Sequence, residues 1–321
     1  MTPGRSCPLH YRYAPADLAR TDALHAECLY VIGGLYGNGP ALDEISDMAR
    51  HEVRPPVLVF NGDFNWFNID HAGFNAINSR VLMHHATRGN VETELASEDE
   101  TAGCGCGYPD FVNDAEVDRS NEIMRRLRGT ACGNPELRRR LGALPMYLRV
   151  HVGGTRVAIV HGDCESLAGW GLSRENLASA EQQAKIAAWF ETAKADVIAS
   201  SHSCLPVLQE FSTRRGVGVV ANNGAAGMPN FSGTRYGIIT RIGVQASPHA
   251  PLYGTRLNGV QVDALAVRYD VERWHEEFHA NWPANSPAHR SYAQRIARGP
   301  LYSIAEACSV TARRPAPVAV N

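Results

Sequence analysis

Short apolar runs alternate with amphipathic stretches along the first half of the chain. Residues 27–34, ECLYVIGG, form a short apolar run that breaks into a glycine-rich turn, and Pro40 with ALDEISDMARH carries the apolar spacing of a helix with proline in its first turn. PPVLVFNGD predicts a buried strand ending at Asp63, residues 70–83 predict a helix, and a short strand leads into Arg88, Gly89 and Asn90. Residues 95–114 interrupt this alternation with glycine, proline and acidic residues and no sustained period, which marks an inserted loop. Amphipathic segments then run from Glu116 to Arg128 and from Pro135 to Leu141.

The second half is richer in strands. MYLRVHV, the turn Gly153-Gly154 and RVAIVHGD read as a hairpin aimed at His161, and a helix over 176–194 leads to the strand DVIASSH, which ends at His202. LPVLQEF, GVGVVANNG, RYGIITRI and QVDALAVRYD are further strands, residues 271–299 read as two terminal helices, and RRPAPVAVN reads as a disordered tail. Helix-and-strand units followed by strands predict two packed sheets flanked by helices.

Composition narrows the function classes. A chain of 321 residues, 44% hydrophobic, can bury a large core, and its formal net charge of −2 gives no basic footprint for nucleic acid. The arginine clusters at 125–128 and 138–140 read as solvated helix faces. No apolar stretch approaches the ~20 residues of a membrane span, and the N-terminal residues lack the apolar run of a secretory signal, so a cytoplasmic protein without membrane or nucleic-acid partners is expected. The eight cysteines are scattered, which predicts free thiols.

Candidate chemistry sits where strands and turns end. Asp63, Asn90, His161 and His202 each close a strand or turn, and oxygen and imidazole donors gathered at one sheet edge suit a divalent metal. Against this stand plainer readings: Asp63 and Asn90 as turn residues, and the histidines as hydrogen-bonded core groups. Cys104 and Cys106 lie in the glycine-rich loop, where they are expected either to be inert or to swing over the site as lid thiols. Asn222 and Asn223 with the small residues after them predict a tight turn, Arg88 and Arg235 are candidate cations for an anionic substrate, and His71, His84 and His85 are candidate acids whose plainer reading is exposed helix ends.

In order, these segments resemble the calcineurin-like metallophosphoesterase superfamily over about residues 28–242. The motifs that carry the resemblance are GGLYGN at 33–38, GDFNWF at 62–67, GNVE at 89–92, HGD at 161–163, SHSC at 201–204 and NNGAAGMP at 222–229. The family binds two metals. Carried over by position, the resemblance implies one complete ligand set, Asp63, Asn90, His161 and His202, and one altered set, Gly34, Tyr36, Asp63 and Cys204. Glycine offers no ligand and a neutral phenol is a poor one, so one ion (manganese, iron, zinc or similar) is expected, with a second tied to a rebuilt Tyr36 and Cys204 site. The family's proton-donating histidine falls on Val91, and its Asp-Arg pair falls on Trp66 and Phe67, an aromatic wall suited to stacking on a base or sugar.

The fold class implied is a four-layer α/β/β/α sandwich, with residues 1–270 as the metallophosphoesterase-like domain and 271–321 as a C-terminal helical extension and tail. The function implied is a metal-dependent hydrolase of a small phosphorylated or nucleotide-like substrate, with water activated at the ion, Asp63, His161 and His202 as catalytic residues, and Trp66, Asn223 and Arg235 as substrate contacts. Two alternatives stand beside it: a mononuclear enzyme on the same fold cleaving a non-phosphate bond, such as a glycosidic one, and a ligand-binding member without turnover.

Overall fold

A computed structural model describes residues 2–309, so the tail reading at 313–321 lies outside the described residues. In chain order the strands are β1 (Ala23–Ala26), β2 (Cys28–Ile32), β3 (Val57–Asn61), β4 (His85–Thr87), β5 (Tyr147–Val152), β6 (Thr155–Val160), β7 (Val197–Ser200), β8 (Pro206–Thr213), β9 (Gly216–Asn223), β10 (Gly237–Gly243), β11 (Pro251–Leu257) and β12 (Val260–Val267). They form two sheets of six, ordered β1-β5-β6-β7-β9-β8 and β11-β12-β10-β2-β3-β4. Each sheet holds a parallel trio, β2-β3-β4 in one and β6-β7-β9 in the other.

The helices are α1 (Pro15–Arg20), α2 (Gly39–Arg50), α3 (His71–Val81), α4 (Asn90–Ala96), α5 (Asp114–Cys132), α6 (Pro135–Gly142), α7 (Arg174–Leu177), α8 (Ala180–Thr192), α9 (Val271–Asn281), α10 (Pro287–Arg298) and α11 (Ile304–Ala307). Strand β2 shows why the apolar runs are continuous: Leu29 and Val31 enter the core between the sheets, while Tyr30 and Ile32 face the helical layer. That outer cluster also takes in Phe74 of α3, Ile123 of α5, and Trp274, Phe278 and Ile296 of α9 and α10. On the far face Ile186, Trp189 and Phe190 of α8 cover Val160 and Ile198 of the other sheet. The layers are therefore helix, sheet, sheet, helix, as the resemblance implied.

Several boundaries differ from the sequence reading for local reasons. The helix expected over 176–194 is split, because the Ser179 hydroxyl caps a new start at α8 by accepting from the Gln182 N–H at 3.4 Å. Asn90, read as a turn residue, begins α4, whose Glu92 reaches back to the Gly89 N–H at 3.0 Å. Strands β1 and β11 carry weak alternation and were not anticipated. The expectation of free thiols fails at Cys104 and Cys106, which are joined in a disulfide. Gly105 between them has φ +65, and this left-handed residue helps to bring the two Cα atoms to 5.4 Å, within bridging range.

Candidate metal centre

Four strand ends converge from both sheets. β3 delivers Asp63 and β4 delivers Asn90 from one sheet; β6 delivers His161 and β7 delivers His202 from the other. The two edges are tied across the interface by Asn61, whose amide donates to Val160 O at 2.8 Å and accepts from the Thr87 hydroxyl at 2.9 Å. Gly62 makes the approach possible: with φ +75, any Cβ there would sit 2.6 Å from Gly89 N and from His161 Nδ1. Asp63 follows with φ 54, a backbone state that side-chain-bearing residues seldom adopt and that here turns its carboxylate into the site.

The centre is dry. Asp63, Asn90, His161 and His202 are all buried, and His161 Nε2 lies 3.2 Å from Asn90 Oδ1, 3.2 Å from His202 Nδ1 and 3.3 Å from Asp63 Oδ2. Each group is oriented from behind. His161 Nδ1 donates to Asn61 O at 2.8 Å, His202 Nε2 donates to Cys106 O at 2.8 Å, and Asn90 Nδ2 donates to Cys104 O at 2.9 Å. These bonds leave His161 Nε2, His202 Nδ1 and Asn90 Oδ1 as lone-pair acceptors facing the Asp63 carboxylate.

Four acceptors packed together with no donor of their own fit a cation. The three spacings from His161 Nε2 fit as well, since ligands at the 2.0–2.1 Å of zinc–nitrogen bonds stand about 3.3 Å apart along a tetrahedron's edge. Among the described residues, Asp63, His161 and His202 are the one group of three or more histidine, cysteine or acidic side chains placed to share an ion. The electrostatics draw positive charge to this point, which a proton on His161 Nε2 or a cation can supply. Burial pushes the Asp63 carboxyl up, but His161 and then His202 bring it net below its usual value. Burial likewise pulls His161 down, and Asp63 more than offsets that and leaves it raised. His202 falls to about 4, through burial first and then through His161, so it stays neutral.

Glu92, which the sequence reading did not single out, holds this edge together. Its buried carboxylate accepts from the N–H groups of Asp63 at 2.7 Å, Phe64 at 3.1 Å and Gly89 at 3.0 Å. Burial, and after it the charge of Asp63, raise its pKa to about 7. The signal was available as an acid at the third position of a helix behind a Gly-Asn start.

No protein-family model and no curated protein matches the sequence. Solved structures do. A hypothetical protein from Pyrococcus horikoshii is 14% identical with a TM-score of 0.56, covering 87% of this chain and all (100%) of its own. A metallophosphoesterase from Sphaerobacter thermophilus is 15% identical with a TM-score of 0.54, covering 86% of this chain and 100% of its own. The chain has the metallophosphoesterase fold.

On that fold the remaining candidates take different places. Tyr36 lies over Gly34, where a Cβ would meet its hydroxyl at 2.9 Å, and that hydroxyl is 2.9 Å from Cys204 Sγ. Burial raises both the phenol and the thiol, so the pair is neutral and its members satisfy each other. Trp66 and Phe67 are buried in the aromatic core with Trp274, Phe278 and Tyr292. Asn223 is turned inward and donates to Gly33 O and Ile238 O, both at 2.9 Å. Arg235 pairs with Glu272 on α9 at 2.8 Å, and Arg88 Nη1 donates to Gly142 O at 2.7 Å. His71, His84 and His85 are exposed, and His84 lies against Phe60. Val91 is buried.

The loop around residues 100–110 reaches over the centre and presents the carbonyls of Cys104 and Cys106, with Cys106 Sγ also 3.6 Å from Asn90 Nδ2. Trp170 fixes it from the other side, donating from Nε1 to Cys106 O at 3.0 Å, with its ring 5.3 Å from that of His202. Asp163 shapes the Trp170 turn by accepting from the N–H groups of Glu165 at 2.9 Å, Ser166 at 3.0 Å and Gly171 at 3.0 Å. No helix among the described residues is long and apolar enough to cross a membrane.

Proposed function

We propose that this chain is a metal-dependent hydrolase that uses one divalent cation, held by Asp63, Asn90, His161 and His202, on a small phosphorylated or nucleotide-like substrate. The observation that carries the reading is the convergence of four buried acceptor groups, with Asp63, Asn90 and His202 each 3.2–3.3 Å from His161 Nε2. The metallophosphoesterase fold supports the phosphoester class. A bound cation supplies Lewis-acid polarisation of a substrate oxygen and activation of water.

The chain's own residues set the rest. Asp63 brings the negative charge that balances the ion, and Glu92 keeps its turn in the left-handed state. The Tyr36 and Cys204 pair fills the space beside Asp63 with protonated groups, which supports one ion over two. Val91 holds no transferable proton, so the reading favours substrates with good leaving groups. Elemental analysis by mass spectrometry is expected to give about one divalent ion per chain, and activated phosphoesters such as p-nitrophenyl phosphate to be hydrolysed. Asp63→Asn or His161→Ala should abolish that activity; turnover indifferent to chelation and to both substitutions overturns the reading.

A further inference from the structure

The carbonyls that orient two of the four ligands belong to the two cysteines of one disulfide. Asn90 Nδ2 donates to Cys104 O at 2.9 Å and His202 Nε2 donates to Cys106 O at 2.8 Å. Between and beside the cysteines stand Gly103, Gly105 and Gly107, all left-handed at φ +64, +65 and +58. At Gly105 a Cβ would fall 2.2 Å from the Tyr11 hydroxyl, so glycine is required there for the loop to seat. Three glycines in five residues give this segment large conformational freedom, and the disulfide is the covalent element that removes it.

We propose that the Cys104–Cys106 disulfide is a reducible clasp that sets how tightly the centre holds its cation. The inference rests on the metal reading above. The reductant class is a dithiol. One of its thiolates attacks Sγ of Cys106, the less buried of the two cysteines (6% exposed against 0%), forming a mixed disulfide and releasing Cys104 as a thiolate that takes up a proton. The second thiolate of the dithiol then displaces Cys106, which is also protonated, and the reagent leaves as its own disulfide, so two electrons and two protons pass to the protein. A groove of about 390 Å³ lined by Gly103, Asn121, Glu122 and Arg128 runs beside the loop. With the link open, the loop is held by non-covalent contacts alone, among them the Cys104 N–H donating to Asn121 Oδ1 at 2.9 Å, the Gly105 N–H donating to Ala102 O at 3.1 Å and Trp170 Nε1 donating to Cys106 O at 3.0 Å. Loss of such outer support for metal ligands costs about 10–100-fold in affinity.

The test compares oxidised protein with protein reduced by dithiothreitol and desalted anaerobically, each titrated with Mn²⁺ and followed by hydrogen–deuterium exchange at residues 88–95 and 200–206. Reduction is expected to weaken Mn²⁺ binding about 10-fold or more and to speed exchange in both segments, with Cys106→Ser behaving as the reduced form in either state. Equal affinity and equal exchange in the two states overturn the clasp, as does mass spectrometry showing that Cys104 and Cys106 do not pair under a mild oxidant. If neither form binds a divalent ion, the metal reading fails by itself, and the exchange comparison still decides whether the disulfide orders the ligand segments.

Discussion

His161 Nε2 stands 3.2 Å from His202 Nδ1, and the far nitrogen of each ring is committed to a main-chain carbonyl, Asn61 O for one and Cys106 O for the other. Two imidazoles fixed this way cannot hydrogen-bond each other in their neutral forms, and a cation between them relieves the conflict. Saturating Mn²⁺ or Zn²⁺ at 100 times its dissociation constant is therefore expected to stabilise the native protein by about 2.7 kcal/mol. Asp63→Asn and His161→Ala should show no such gain, as read from thermal unfolding with and without the ion.

Gly62→Ala tests the geometry behind the ligands. The added methyl would meet Gly89 N and His161 Nδ1 at 2.6 Å, at a φ of +75 that alanine tolerates poorly. Backbone strain and displacement of the His161 ring act together, so a loss of about 2 kcal/mol or more is expected in denaturant unfolding, with a matching loss of metal affinity.

Glu92→Gln separates charge from shape. One carboxylate oxygen accepts from Asp63 N and Gly89 N while the other accepts from Phe64 N. A carboxamide has one acceptor, so its NH₂ must face at least one main-chain donor in a buried space. Destabilisation by about 1–3 kcal/mol is expected from urea melts, and Mn²⁺ binding should weaken because the Asp63 turn loses its anchor.

Strand ends and their order were readable from the letters, because a strand covered on both faces must be apolar throughout and its first polar residue marks the edge. His161 after RVAIV is such a case, Asp63 lies two residues beyond Asn61, the first polar residue after VLVF, and the structure brings both to one point. What surrounds the ligands was less legible. The role of Glu92 was signalled only by an acid at the third position of a helix, and the covering of His202 by Cys106 is a carbonyl contact across 96 residues, which leaves no residue-type signature. Cys-Gly-Cys read as a pair of loop thiols because nothing local announces that a left-handed glycine folds the two sulfurs together. Trp66, expected to face substrate, is in the core because helices α9 and α10 pack over it.

Tyr36→Phe addresses the group beside the proposed ion site. The hydroxyl meets only the Cys204 thiol, which keeps its own bond to His202 O at 3.2 Å when the phenol is removed. Stability is expected to fall by about 0.5–1.5 kcal/mol, the usual net worth of one hydrogen bond, while metal content per chain stays unchanged. A drop in metal content in Tyr36→Phe, measured by mass spectrometry, would make Tyr36 a ligand.

Away from the centre, Asp263 gives a pH prediction. Arg241 is buried and committed to Glu52 through bonds of 2.6 and 2.9 Å, and it stands 3.6 Å from Asp263 Oδ2, which has no hydrogen-bond partner. Burial, opposed by Arg241 and reinforced by Glu52, raises the Asp263 carboxyl to about 6. The unfolded chain ionises this group near its ordinary value of about 3.9, so between about pH 4 and 6 the folded state binds the extra proton and stability falls as pH rises. Asp263→Asn removes that ionisation. The variant's stability relative to the parent should therefore improve by about 1–3 kcal/mol between pH 4 and pH 8, with the change confined to the interval below about pH 7. Urea melts across that range measure it, and a pH-independent difference would show that Asp263 ionises in the fold as easily as in water.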